Sequence, residues 1–489
     1  MSKKLIGLLL AVCLCIGLLP AVALADTTPN KVTFRILSWI TISAEEGGPA
    51  AYLKNSEYQG YDAEGKEIGT GWTQVKATES DWNVKLEYPK DGSPILTIKD
   101  AKMVMVTDDG AMLYKKNVDS TTGDVTYKSQ NSVSAIMTNS GAANCVDLNL
   151  VVEGENIIKV NNGIVRGNVG SSQHFKNITI TGKDGGKISG FGGGIGISAR
   201  ESYTLTLDSV TLDLKTTNVG GGQPVPLRTE KGNMVIKNST VKCGNNNNVA
   251  IGALYGGDIL VENSTINVTS KLVSTAGPGC IYAQDGTVTI EGDKTVINAT
   301  GKNNSCLSGA KGVIINGGEL NLTSAYYALH AGEGADITFN GGTTKIIAQY
   351  ACWVAPKLGD KIVTALVGAN QDACEVYDGS NPNLAKQPWM VVSDKSNKDL
   401  GIEVTEPTVP TIPIVTVPSQ SPSQAPSQTP TQTPTQAPTG GAATNPTESK
   451  PADDKAEGGS STTLLIVAVA LVVVGGAVVG VIIFKRKKA

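Results

Sequence analysis

Met234-Val235-Ile236-Lys237-Asn238-Ser239-Thr240-Val241 returns almost unchanged as Ile259-Leu260-Val261-Glu262-Asn263-Ser264-Thr265-Ile266, a step of 25 residues from Met234 to Ile259. The pattern is a β-type triplet, a polar corner and the start of a second apolar strand. Working outward in both directions, the triplet recurs as Ile178-Thr179-Ile180, Leu205-Thr206-Leu207, Val288-Thr289-Ile290, Val313-Ile314-Ile315 and Ile337-Thr338-Phe339. The third residues, 180, 207, 236, 261, 290, 315 and 339, are 27, 29, 25, 29, 25 and 24 apart. A second strand follows each corner, around Ile188, Leu212, Val241, Ile266, Val296, Leu320 and Ile346, and a third lies near Ile195, Ile281, Leu307, Leu329 and Trp353. Three strands and three turns in about 25 residues make one coil of a parallel β-helix. One coil cannot bury its own apolar face, so the coils must stack, with Ile, Val and Leu in inward ladders about 4.8 Å apart. Gly, Asn and Asp supply the left-handed backbone that the corners require. The competing all-β arrangement, a sandwich of hairpins, has no reason to keep such a period.

Composition agrees: 56 glycines and five phenylalanines suit a turn-rich β-protein. A net charge of −3, from 41 basic and 44 acidic residues, gives no basic surface for nucleic acid. Residues 1–25 read as a secretory leader: Lys3 and Lys4, an apolar run from Leu5 to Leu19, and Ala23-Leu24-Ala25 as the cleavage site. Leu464 to Phe484 is an uncharged apolar run long enough to cross a hydrocarbon core of about 30 Å, and Lys485, Arg486, Lys487 and Lys488 follow it. The basic tail places 485–489 in the cytoplasm and everything before the span outside the cell. No Leu-Pro-x-Thr-Gly precedes the span, Ala437-Pro438-Thr439-Gly440 being the nearest approach, so the helix itself is the expected anchor. Between them, 405–463 is rich in Pro, Thr, Ser and Gln, an unpacked stalk of polyproline character. The expected order is therefore leader 1–25, N-terminal cap 26–80, β-helix 81–375, C-terminal cap 376–404, stalk 405–463, span 464–484 and tail 485–489. The segments 82–88 and 94–101 read as first coils, with an insertion over about 107–131. The soluble part is expected to be an elongated monomer.

Asp81-Trp82-Asn83-Val84-Lys85-Leu86, Leu96-Thr97-Ile98-Lys99-Asp100-Ala101 and Asp147-Leu148-Asn149-Leu150-Val151-Val152-Glu153-Gly154-Glu155-Asn156-Ile157-Ile158 together resemble the β-helical carbohydrate-binding-domain surface proteins of anaerobic Gram-positive bacteria. The resemblance covers about 80–375. It implies the right-handed, pectin-lyase-like form of the parallel β-helix, carbohydrate as the ligand and, for some members, calcium.

Only two histidines, His174 and His330, are present, and neither a Gly-x-Ser-x-Gly nor a His-Glu-x-x-His motif occurs. No catalytic residue and no metal ligand is assigned. β-helix lyases and hydrolases are the enzyme alternative, needing paired carboxylates or a basic proton acceptor. Asp108-Asp109 lies in the insertion, and Arg200 and Arg228, each at the end of a third strand, read more simply as corner charges. Ca²⁺ is the one cofactor the pattern allows, through a column of Asn177, Asp258 and Asp336, although Asp and Asn also make such turns unaided. Cys280 and Cys306 occupy matching positions one coil apart, as a disulfide or as two buried thiols; Cys145, Cys243, Cys352 and Cys374 are scattered.

The binding candidates follow from alternation. With Ile281, Leu307, Leu329 and Trp353 inward, Tyr282, Ser308, His330 and Val354 face out. Tyr255, Tyr326, Tyr327 and Tyr350 fall near the same sheet. Rings beside hydroxyl and amide groups are what a saccharide needs, so Tyr282, Tyr326, Tyr327 and His330 are the expected carbohydrate site. The function classes left open are a non-catalytic glycan-binding surface protein, a polysaccharide-cleaving enzyme and an adhesin for a protein partner.

Overall fold

The computed structural model describes residues 30–402 except 129–132, 139–145, 167–174, 194, 200–202, 217–224, 230–231, 246–250, 254–256, 271–278 and 380. The expected leader, stalk and span lie outside the described residues, among which no helix is long and apolar enough to cross a membrane. The described chain is nearly all β: a solenoid of stacked coils, with one 3-10 turn, Leu384–Lys386, among the described residues.

Three parallel faces run along the stack. The first is unbroken from Ile95–Lys99 through the triplets to Lys357–Leu358. The second runs from Lys102–Val104 to Thr343–Ala348. The third runs from Ile136–Thr138 to Cys352. Alternation is strict. Ile178, Leu205, Met234, Ile259, Val288, Val313 and Ile337 have no exposed surface and form one ladder, with Ile180, Leu207, Ile236, Val261, Ile290, Ile315 and Phe339 beside it. Each such side chain contributes roughly 1.5–3 kcal/mol over its exposed state, and only because the next coil covers it.

The corner between first and second faces is left-handed, as its residues demanded. Ser209, Asn238 and Asn263 have φ of 56°, 51° and 46°, and glycine takes over at Gly292, Gly318 and Gly342. Buried serines stitch the corners together: Ser264 Oγ accepts from the Ser239 N–H (3.0 Å) and donates to Glu262 O (2.7 Å).

One expectation is corrected at the N-terminal end. Val84–Glu87 is not a first coil but runs antiparallel to Ile95–Ile98, and antiparallel again to Ala51–Leu53 of the cap. A strand alternates its faces identically in either direction, so the pattern of 82–88 could not tell the two apart. The cap meets the first rung of every face: Val84–Glu87 lies on the first, Trp72 bridges to Val104 on the second, and Phe34–Ile36 pairs with Ile136–Thr138 on the third. At the other end Trp389–Ser393 closes the second face antiparallel to Thr343–Ile347.

Candidate functional site

The strand Glu319–Ala331 passes from the second face to the third within one continuous element, and an irregularity in its pairing falls between Ser324 and Tyr327. Ser324, 5% exposed, holds that corner: its hydroxyl accepts the Tyr326 N–H (2.9 Å) and donates to Asn304 O (2.8 Å). The next strand, Thr343–Cys352, turns the same corner and sets Tyr350 opposite Tyr327. Five rings from two coils therefore gather at one place. Tyr327 stacks on Tyr350 with centroids 4.8 Å apart and planes 29° off parallel. Tyr326 meets Tyr327 edge-on at 4.6 Å, Trp353 meets Tyr327 edge-on at 4.9 Å, and His330 lies 5.1 Å from Trp353.

The structure brings Tyr326, Tyr327 and His330 together as expected but changes two roles. Leu329 pairs with Cys352, which is fully buried and ends its strand, so Trp353, the next residue, faces outward and stands 41% exposed beside His330. The expectation that Trp353 points inward is wrong by one residue, and a one-residue shift moves every side chain to the opposite face. Tyr327, at 8% exposure, is roofed by its neighbours and cannot offer a ring face; it is the support under Tyr350 and Trp353.

Tyr282 lies elsewhere on the same face. Gly252, Tyr282, Ser308 and His330 are in register on successive rungs, which places Tyr282 two rungs, about 9.6 Å, from His330. It is half-buried against Val225, and burial raises its phenol above the ordinary range. His330 Nδ1 is 3.3 Å from Ser308 Oγ, and burial lowers its pKa, favouring the neutral ring near pH 7. Arg228 occupies the rung before Gly252 in this outward column. Tyr255, His174 and Arg200 lie outside the described residues.

The calcium column exists but is too sparse to share an ion. Asn177, Asp258 and Asp336 fall in one line, yet Thr204 and Asn233 separate the first two, and Thr287 and Gly312 the last two. Three rungs are about 14 Å, against ligand distances of about 2.5 Å. Their oxygens hold backbone instead: Asn177 Oδ1 accepts Thr204 N–H (3.1 Å) and Asp258 Oδ1 accepts Thr287 N–H (2.9 Å), while Asp336 pairs with Lys357 at 2.6 Å.

Cys280 and Cys306 are adjacent, fully buried free thiols, with Cys280 pushed up to about 12 by burial. Cys280 Sγ lies 3.3 Å from Thr300 O and Cys306 Sγ 3.2 Å from Thr323 O. Asp108 of the insertion folds back onto the second face as an ion pair with Lys159, which holds its carboxyl below the usual range.

No family model, no curated protein and no solved structure matches this chain, so the solenoid and its aromatic corner are what any functional reading rests on.

Proposed function

We propose that this chain is a non-catalytic carbohydrate-binding protein of the cell surface, presenting the aromatic corner of its third face to a glycan. The observation that carries the reading is Trp353, an exposed indole held edge-on over a buried Tyr327 and flanked by His330, with Tyr350 stacked on the same Tyr327. A pyranose ring has one apolar face that stacks on such a surface and a rim of hydroxyls that needs partners beside it. Here the rim partners are the phenols of Tyr326 and Tyr350 and the His330 imidazole, with Tyr282 two rungs away for a longer chain. The rings are fixed by one another, which lowers the entropy lost on binding. In this reading the 405–463 segment is the stalk and Leu464 to Phe484 the anchor, with the solenoid outside the cell.

The test is a glycan array probed with the wild-type chain and with Trp353→Ala. Retained binding by a folded Trp353→Ala variant removes this corner as the site. Failure of the wild type on every glycan, combined with capture of a surface protein, replaces the reading with that of an adhesin.

A further inference from the structure

The second face carries a feature that the aromatic corner does not use. A groove of about 320 Å³ opens over Gly244, and a second of about 270 Å³ opens towards the insertion; Asp213 and Lys215 line both. The cause is the register of two outward columns. One reads Ser189, Asp213, Lys242, Asn267 and Asn298, and the other reads Phe191, Lys215, Gly244, Thr269 and Thr300, rung by rung. Gly244 is the missing tooth, since a Cβ built there meets nothing within 4 Å. At its far end the trough meets the 107–111 loop, where Asp108 is tied to Lys159.

Three lysines, Lys159, Lys215 and Lys242, and two carboxylates, Asp108 and Asp213, line the trough. Lys242 is 3.4 Å from Asp213 and Lys159 is paired with Asp108, whereas Lys215, between the two grooves, makes no salt bridge among the described residues. The amide ladder adds to this. Asn321 Nδ2 donates to Asn298 Oδ1 (3.0 Å) and Asn298 Nδ2 donates to Asn267 Oδ1 (2.8 Å). That direction leaves Asn267 Nδ2 with no protein acceptor among the described residues, on the rung next to Lys242.

We infer that this trough binds a linear acidic saccharide, with a carboxylate or sulfate group seated over Gly244 between Lys215, Lys242 and the Asn267 amide. Two lysines and an amide lining one groove can supply an oxyanion with charge-assisted bonds. The rows of Asn and Thr beyond it offer a hydroxyl-bonding group at every 4.8 Å or so along the axis, suited to a sugar chain lying lengthwise. A peptide strand finds no equivalent, because the backbone of this face is already fully paired between coils. The inference concerns a different face from the aromatic corner and does not depend on it.

The experiment uses the full chain in detergent micelles, titrated with a polyuronate oligosaccharide, a sulfated oligosaccharide and a neutral one of equal length, at low and high salt. The expected result is salt-sensitive binding of an acidic probe that falls about tenfold or more in Lys215→Ala/Lys242→Ala and also in Gly244→Leu. Gly244→Leu fills the notch without removing charge, and both variants should unfold at the wild-type temperature because none of these side chains enters the core. Preference between the carboxylated and sulfated probes identifies the oxyanion. The inference is overturned if neither acidic probe binds the wild type, or if folded variants bind as the wild type does. It is equally overturned if Trp353→Ala alone abolishes acidic binding, which would assign that binding to the aromatic corner.

Discussion

Among the five clustered rings, exposure separates binding from support. Trp353→Ala removes the open ring and is expected to weaken glycan binding by about 1–3 kcal/mol, the order of one stacked aromatic contact, with little change in melting temperature. Tyr327→Ala should do the reverse. Its ring is buried among three aromatic neighbours, Tyr326, Tyr350 and Trp353, so truncation opens a cavity and costs about 3 kcal/mol of stability; equal melting temperatures for the two variants would contradict this division. His330 gives a pH signature. Burial lowers its folded pKa beneath the unfolded value, so below about pH 6.5 the unfolded chain takes up a proton that the folded chain resists. Its contribution is complete above that pH and declines as pH falls, until the folded ring also protonates. The difference in stability between wild type and His330→Gln should therefore change between neutral and mildly acidic pH, and a constant difference would show that the ring is not desolvated. Three of the candidate residues were legible: His330 as the successor of the third-strand Leu329, and Tyr326 and Tyr327 as rings near the same sheet. The facing of Trp353 was not, because Cys352 and Trp353 are both acceptable inward residues and the irregular corner near Ser324 and Tyr327 hides the register.

Strands and corners were easier to read than their ends. Every triplet quoted from the sequence lies in a first-face strand, because parallel stacking buries the same side of each coil and so repeats the same letters. Corners were legible for a related reason: Asn and Gly stand where φ is positive. At Gly292, φ is +83° and an added Cβ would lie 2.3 Å from Asn263 Oδ1. Gly292→Ala is therefore expected to cost about 1–3 kcal/mol, measured by denaturant midpoint, whereas Gly185→Ala, also at positive φ but with nothing near its Cβ, should cost less. What escaped the reading was pairing direction, as at Val84–Glu87, and any feature built from columns, such as the Gly244 trough, whose residues are scattered over several coils. The thiols test the stacking directly. Cys243, Cys280, Cys306 and Cys352 are buried, and burial raises each of them, whereas Cys374 is only partly covered. Alkylation of the native chain, mapped by mass spectrometry, should label Cys374 well before those four; early labelling of Cys306 would mean that the third face opens readily.

For the molecule as a whole, the ends matter because a stack of parallel strands has two open edges that recruit other chains. The N-terminal cap meets the first rung on all three faces, and Trp389–Ser393 lies along the final second-face rung. Truncation after residue 380 is expected to expose Thr343–Ile347 and produce concentration-dependent association, visible by light scattering. If the proposed stalk and membrane anchor hold, protease added to intact cells is expected to release the solenoid by cutting within about 406–462; release with the tail removed by cell-wall digestion alone would point to covalent attachment instead. The regularity of the stack has a metric consequence. Because each coil contacts only its neighbours, the axial separation between groups on one face is counted in whole coils, and the protein is a ruler graduated in steps of about 4.8 Å. Excising residues 288–312, which replaces the rung of Val288 by that of Val313, would move Tyr282 from two graduations to one from His330, and the shortest oligosaccharide able to span both should shorten by the same step.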